Sequence, residues 1–185
     1  MSVLDWGGGM GHYALIAHAV LPEVAIDYTV MDLPALCAAG RAVLPEVTFE
    51  TDAEACLGRR YDLVLASGSL QYAEEWRSLL RRLATASSAW VYLTRLPLVQ
   101  RVETFAVVQR PHWAGYHTEY IGWVFNRREF LAACGAAGIA LEREMLIEQG
   151  SLAAGAPERF TWGGFLLRSS PATGTKLLPT SPSSA

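Results

Sequence analysis

Between its third and eleventh residues the chain reads Val3-Leu4-Asp5-Trp6-Gly7-Gly8-Gly9-Met10-Gly11, an apolar run, an acid and then four glycines in five positions. Residues 2–5 read as a strand and 11–21 as a helix closed by Pro22. Glycine lets the backbone enter left-handed conformations and lets other atoms approach the main chain, so the cluster predicts a tight strand-to-helix turn. Strand, glycine turn and helix in that order predict a parallel βαβ unit and rule out most all-helical and all-β arrangements.

The alternation continues. Residues 25–32, 47–52, 61–67 and 89–95 read as strands, and 61–67 is almost continuously apolar, as a strand covered on both faces should be. Residues 34–44 form a helix with Pro34 in its first turn and Pro45 ending it. A second helix covers 73–86, where Trp76, Leu79, Leu80 and Leu83 repeat at i, i+3, i+4 and i+7. Residues 96–125 break the pattern with aromatic, polar and proline residues, and read as an insertion folded over the mouth of the site. Asn126, with Glu129 three residues on, predicts a capped helix that stops at Gly138. Strands at 139–148 and 160–168 finish the domain as an antiparallel hairpin at one edge. The expected fold is therefore α/β: a doubly wound, Rossmann-like, mostly parallel seven-stranded sheet with an antiparallel last strand, over residues 1–168. Residues 169–185, rich in Ser, Thr and Pro, predict a disordered tail.

Composition narrows the partners. The net charge is −3, and Lys176 is the single lysine among 15 basic residues, with no basic stripe, so binding to nucleic acid is not expected. No apolar run approaches the roughly 18 residues that span a bilayer, and no signal peptide is evident, so a cytoplasmic protein is expected. Cys37, Cys56 and Cys134 are too scattered for a metal site and read as buried free thiols.

In a doubly wound sheet, ligands bind beyond the carboxyl ends of the strands, where strand order reverses. Asp5 closes the first strand, beside Gly7 and Gly9, where a carboxylate suits the ammonium of an amino-acid-bearing cofactor and does not suit a pyrophosphate. Asp32 ends the second strand, placed to accept both hydroxyls of a ribose. Asp52 ends the third and is placed to reach an adenine amino group. Ser67 ends the fourth, followed by Gly68, Ser69, Gln71 and Tyr72, and this run is placed to line the cofactor or the acceptor.

This Asp-x-Gly-Gly-Gly-x-Gly loop, with the acid after the second strand and seven strands, resembles the class I S-adenosylmethionine-dependent methyltransferases. Met31-Asp32-Leu33-Pro34 is similar to a segment of small-molecule O-methyltransferases. Ser67-Gly68-Ser69-Leu70-Gln71-Tyr72, Thr94-Arg95-Leu96-Pro97 and Trp123-Val124-Phe125-Asn126 resemble a small bacterial family of methyltransferases with unassigned substrates. The resemblance covers roughly residues 3 to 150. It implies S-adenosylmethionine as cofactor and cofactor roles for Asp5, Gly7, Gly9, Asp32, Asp52 and Ser67. Such domains usually carry a helix ahead of the first strand; here the sequence begins at the strand itself, so the expectation is either a fragment lacking that helix, or a misplaced start, or an unusually open cofactor site.

On the acceptor side, residues 110–125 hold His112, Trp113, Tyr116, His117, Glu119, Tyr120 and Trp123. Aromatics there would form an apolar pocket for a small molecule, a sugar or natural-product intermediate among the options. His117 or His112 would serve as general base toward a hydroxyl. Two alternatives stay open. Gly9-x-Gly11-x-x-Ala14 also fits the dinucleotide fingerprint of a nicotinamide-dependent oxidoreductase, and a non-catalytic member of the same fold would bind cofactor without turnover.

Overall fold

The computed structural model describes residues 1–115, 117–151 and 154–170. Tyr116 and residues 171–185, most of the expected tail, lie outside the described residues.

Five parallel strands, β1 (Ser2–Trp6), β2 (Asp27–Met31), β3 (Thr48–Glu50), β4 (Tyr61–Ser67) and β5 (Ser87–Val99), lie in the order β3-β2-β1-β4-β5. Strand order reverses between β1 and β4, so a crevice opens at their carboxyl ends. At the far edge β9 (Phe160–Ser169) runs antiparallel to β5, and β8 (Ile139–Ser151) runs antiparallel to β9. These are the seven expected strands. Ser169, assigned to the tail from sequence, instead ends β9, and its hydroxyl donates to Ser87 Oγ at 2.9 Å.

Two further strands add to them among the described residues. β6 (Phe105–Gln109) and β7 (Tyr120–Asn126) form an antiparallel hairpin inside the stretch expected to be an irregular insertion. Once β4 has ended at Ser67, β7 takes its place beside β5, with Leu98 opposite Phe125 and Val99 opposite Asn126. The hairpin thus stands directly beyond the end of β4.

Helices α1 (His12–Val20) and α2 (Pro34–Val43) cover one face of the sheet, with Val3, Tyr28, Val30 and Phe49 beneath them. The short α3 (Ala53–Leu57), α4 (Trp76–Ala86) and α5 (Arg127–Ala136) cover the other. The periodicity of α4 holds: Trp76, Leu80 and Leu83 are fully buried, each contributing about 1.5–3 kcal/mol by leaving water. Trp76 meets Phe125 edge-on at 4.8 Å, and Phe125 and Phe130 extend this aromatic core. All three cysteines are buried and unpaired.

The hairpin is pinned at both ends. Asn126 caps α5 by accepting from the Glu129 N–H at 3.1 Å, as the sequence predicts. Glu129 does not reach back to the Asn126 N–H, however. Thr104 stands between them: its hydroxyl donates to Glu129 Oε2 at 2.6 Å and accepts from the Asn126 N–H at 3.0 Å. The carboxylate of Glu158 accepts the N–H groups of Gln100, Arg101 and Val102. Farther along, Trp123 Nε1 donates to the Ala73 carbonyl at 3.1 Å. Trp123→Phe should lose that bond, worth about 1 kcal/mol, and lower Tm by roughly 2–4 °C; an unchanged melt would show that the hairpin is held by packing alone.

Candidate functional site

The register of the sheet assembles the site. Trp6 pairs with Met31, and the Gly7 N–H donates to the Met31 carbonyl at 2.8 Å, so Asp32 emerges beside the glycine turn. On the other side Asp5 pairs with Leu65, which brings Ser67 level with the turn. Asp5, Gly7, Gly9, Asp32 and Ser67 therefore share one end of three adjacent strands.

Asp5 lies beneath the turn, not on its surface. Its side chain is fully buried, and a Cβ built on Gly8 would come within 2.5 Å of its carboxyl carbon. Oδ2 accepts from the Tyr28 hydroxyl at 3.1 Å, while Oδ1 is buried with no partner among the described residues. Burial pushes the carboxyl up to about 7, opposed by the Tyr28 hydrogen bond and helped by the charge of Asp32. Tyr28 is itself raised by burial, so it stays protonated and donates.

Three loop glycines have positive φ: Gly7 at 72°, Gly9 at 62° and Gly11 at 87°. Gly7 is enclosed, since a Cβ there would lie 2.4 Å from Ser69 Cβ. Gly9 is open, with nothing within 4 Å of a built Cβ. The turn is thus packed below and bare above, the shape of a cradle.

Asp32 is half-buried and braces this cradle. Its Oδ2 accepts the Gly9 N–H at 2.7 Å and its Oδ1 the Leu33 N–H at 2.7 Å. A carboxylate has about four acceptor positions, so capacity for hydroxyl donors remains. Asp52 caps α3, its Oδ1 accepting from the Glu54 and Ala55 N–H groups at 2.9 and 3.2 Å. That local role was not predicted, because five residues are too few for a periodic signal.

At the end of β4, Ser67 Oγ and Tyr13 Oη lie 2.9 Å apart, joining β4 to α1 across the turn. Ser69 Oγ donates to the Trp6 carbonyl at 2.7 Å. Tyr13 and Tyr28 were not among the expected site residues; their importance comes from tertiary placement, Tyr13 on α1 against Ser67 and Tyr28 on β2 against Asp5, which leaves no local mark in sequence.

Beyond the following 3-10 turn (Leu70–Tyr72), an aromatic cleft of about 930 Å³ is lined by Tyr72, Glu74, Ala106, Glu119, Tyr120, Ile121 and Trp123. Tyr72 and Tyr120 pack edge to face at 5.3 Å, and the Tyr72 hydroxyl donates to Gln109 Oε1 at 3.2 Å. Glu119 pairs with Arg110 at 2.6 Å, and this hydrogen bond holds its carboxyl below the usual range. His112 and His117 sit in the connection between β6 and β7, both exposed, with ring centroids 6.2 Å apart. Neither is among the residues lining the cleft.

Comparison with known proteins agrees with this geometry. The profile of a methyltransferase domain family matches residues 1–144, so the chain belongs to that family. Among solved structures, a SAM-dependent methyltransferase from Methanosarcina mazei superposes with a TM-score of 0.69 at 12% identity, over 92% of both chains. Magnesium protoporphyrin IX methyltransferase from Synechocystis, with bound SAM, gives 0.60 at 16% identity, over 91% of this chain and 69% of that one. The N-terminal domain of EvdMO1 with bound S-adenosylhomocysteine gives 0.62 at 19%, over 92% and 75%. A search of curated sequences gives no match. The fold is that of a class I S-adenosylmethionine-dependent methyltransferase.

Proposed function

We propose that the chain transfers the methyl group of S-adenosylmethionine to a hydroxyl of a small molecule with an apolar or aromatic body. The observation that carries this reading is the pair of carboxylates around an open glycine. Asp5 and Asp32 flank Gly7–Gly9, and the Gly9 N–H is already given to Asp32. Two acids there favour a cation, whereas a dinucleotide needs free N–H groups for its pyrophosphate, so the oxidoreductase reading is disfavoured.

The residues fit the cofactor. Oδ1 of Asp5 is a buried acceptor awaiting a donor, and Gly9 leaves room for close approach. Asp5, Gly7 and Gly9 would hold the amino-acid end, Asp32 the ribose hydroxyls, Asp52 the adenine, and Ser67 the side where the methyl group lies. The cofactor, when bound, supplies a methyl already activated by its sulfonium. The chain's own task is alignment and exclusion of water. The hairpin within residues 96–125 serves as the acceptor lid, with Tyr72, Tyr120 and Trp123 holding the acceptor's body. His117 or His112 takes the hydroxyl proton. A sugar or natural-product intermediate in the cytoplasm is the proposed acceptor class.

Calorimetric titration with S-adenosylhomocysteine tests the cofactor. Micromolar binding is expected, and Asp32→Ala should weaken it by about 1.5–3 kcal/mol, the worth of hydrogen bonds to a charged group, which is roughly tenfold or more. Equal affinity in the variant would remove Asp32 from the site. The exposed placement of both histidines favours a second reading, a member that binds cofactor without turnover. The double variant His112→Ala/His117→Ala separates the two: a loss of about 10²-fold or more in kcat on a hydroxyl acceptor supports a base, and an unchanged rate assigns the proton elsewhere.

A further inference from the structure

We propose that Arg95 anchors an oxyanion, carboxylate or phosphate, on the acceptor; the inference rests on the methyltransferase reading and names the acceptor's charge.

From Val91 to Val99, β5 is buried on every residue except Tyr92, which is half-buried, and Arg95, which is exposed. The pairing of β5 with β9 shifts register between Leu93 and Leu96, a bulge that turns this one side chain out. Arg95 has φ of 56°, and among the described residues it is the one non-glycine residue with positive φ. An arginine there costs stability that a glycine would not. The facing strand yields to the bulge: a Cβ on Gly164 would come within 2.9 Å of Thr94 Oγ1, and one on Gly163 within 2.5 Å of Leu98 Cδ1. Folding alone gains nothing from a cation at the apex.

The apex stands at the mouth of the site. Arg95 Cβ and Nε lie 3.6 and 3.9 Å from a Cβ built on Gly68, which itself has φ of 65° at the end of β4. Six of the 14 arginines form ion pairs; the Arg95 guanidinium, like seven others, forms none among the described residues, and so is free to take a ligand. Beside it Gln71, 1% exposed, donates from Nε2 to the Arg95 carbonyl at 3.4 Å. That bond fixes the amide's orientation and leaves Oε1 buried without a partner. A planar forked cation next to an unsatisfied carbonyl is a receptor for an oxyanion with a neighbouring hydroxyl or N–H.

Strand order decides which ligand this serves. The carboxylates of Asp5 and Asp32 gather on the β1 side of β4, whereas Arg95 lies on the β5 side, next to Gln71 and so to Tyr72 of the aromatic cleft. The residues lining the cleft include no cation, Glu74 there is acidic and Glu119 is already paired with Arg110, which leaves Arg95 as the anion's place.

The test uses the full chain saturated with S-adenosylhomocysteine and titrated with benzoate, phenyl phosphate and benzamide. At least one anion should bind tenfold or more tighter than benzamide, and the two anion arms tell carboxylate from phosphate. In Arg95→Gly and Arg95→Asn, both of which tolerate left-handed backbone, the preference should fall within twofold. Their Tm should be unchanged or higher and their affinity for S-adenosylhomocysteine unaltered. Benzamide binding as tightly as both anions, or a preference that survives both variants, overturns the proposal. So does a loss confined to S-adenosylhomocysteine, which would give Arg95 to the cofactor. If the wild type binds no S-adenosylhomocysteine, the methyltransferase reading fails, and the same titrations on the unloaded chain still decide Arg95.

Discussion

Asparagine in place of Asp5 should raise the melting temperature at pH 8 and, in the same protein, weaken S-adenosylhomocysteine binding by tenfold or more. The two effects share one cause. Burial lifts the folded-state carboxyl to about 7, against 3.8 in the unfolded chain. A raised acid gives stability that is complete below about pH 4 and is lost as the pH climbs to about 7. Over that window the loss runs at about 1.4 kcal/mol per pH unit, so at pH 8 the ionised Asp5 costs a few kcal/mol. The asparagine side chain does not titrate and carries no such slope. The variant and the wild type should melt alike near pH 4, and the variant several degrees higher at pH 8. Binding moves the other way, because a cationic ammonium needs the ionised carboxylate. Affinity of the wild type should rise between pH 6 and 8, and that rise should be missing in the variant. Parallel melting profiles in the two proteins would mean that Asp5 titrates as it does in the unfolded chain. Equal affinities at pH 8 would remove it from the cofactor's amino group.

Much of this was legible in the sequence for a physical reason. Elements with their own periodicity or punctuation declare themselves: the glycine turn, α4 with its apolar stripe, and Asn126 as a cap. The site residues on β1, β2 and β4 were legible because a parallel sheet delivers every strand end to one edge. The hairpin was not. Phe105–Gln109 and Tyr120–Asn126 are rich in aromatic and β-branched residues, but each is short, and the stretch between them carries proline, glycine and two histidines. What makes them strands is the vacant edge of β5 beyond Ser67, a tertiary opportunity that no window of sequence displays. Asp5 shows the same limit in another form. Its place after the first strand was readable, yet its depth beneath Gly8 depends on a carboxylate packing under a residue without a side chain. Arg95 was visible within Thr94-Arg95-Leu96-Pro97, but its left-handed backbone follows from a register shift against Gly163 and Gly164.

The glycine turn yields a pair of substitutions whose effects should separate. Gly7 and Gly9 have nearly the same φ, 72° and 62°, so alanine at either pays a similar conformational penalty of about 1–2 kcal/mol. Their surroundings differ. A methyl at position 7 lands 2.4 Å from Ser69 Cβ, against a loop tied by the Ser69 hydroxyl to the Trp6 carbonyl. Relief requires β1 and β4 to part, and overpacking of this kind costs about 1–3 kcal/mol more. Gly7→Ala should therefore lose about 2–5 kcal/mol by denaturant unfolding, the sum of those two terms. A methyl at position 9 meets nothing. Gly9→Ala should unfold within about 2 kcal/mol of the wild type, yet bind S-adenosylhomocysteine at least tenfold more weakly, because the space it fills is the space above the cradle. If Gly9→Ala binds like the wild type, the cofactor does not approach the turn from that side. If Gly7→Ala is as stable as Gly9→Ala, the contact between the turn and the end of β4 is looser than its geometry implies, and the close fit of β1 to β4 is not what shapes the site.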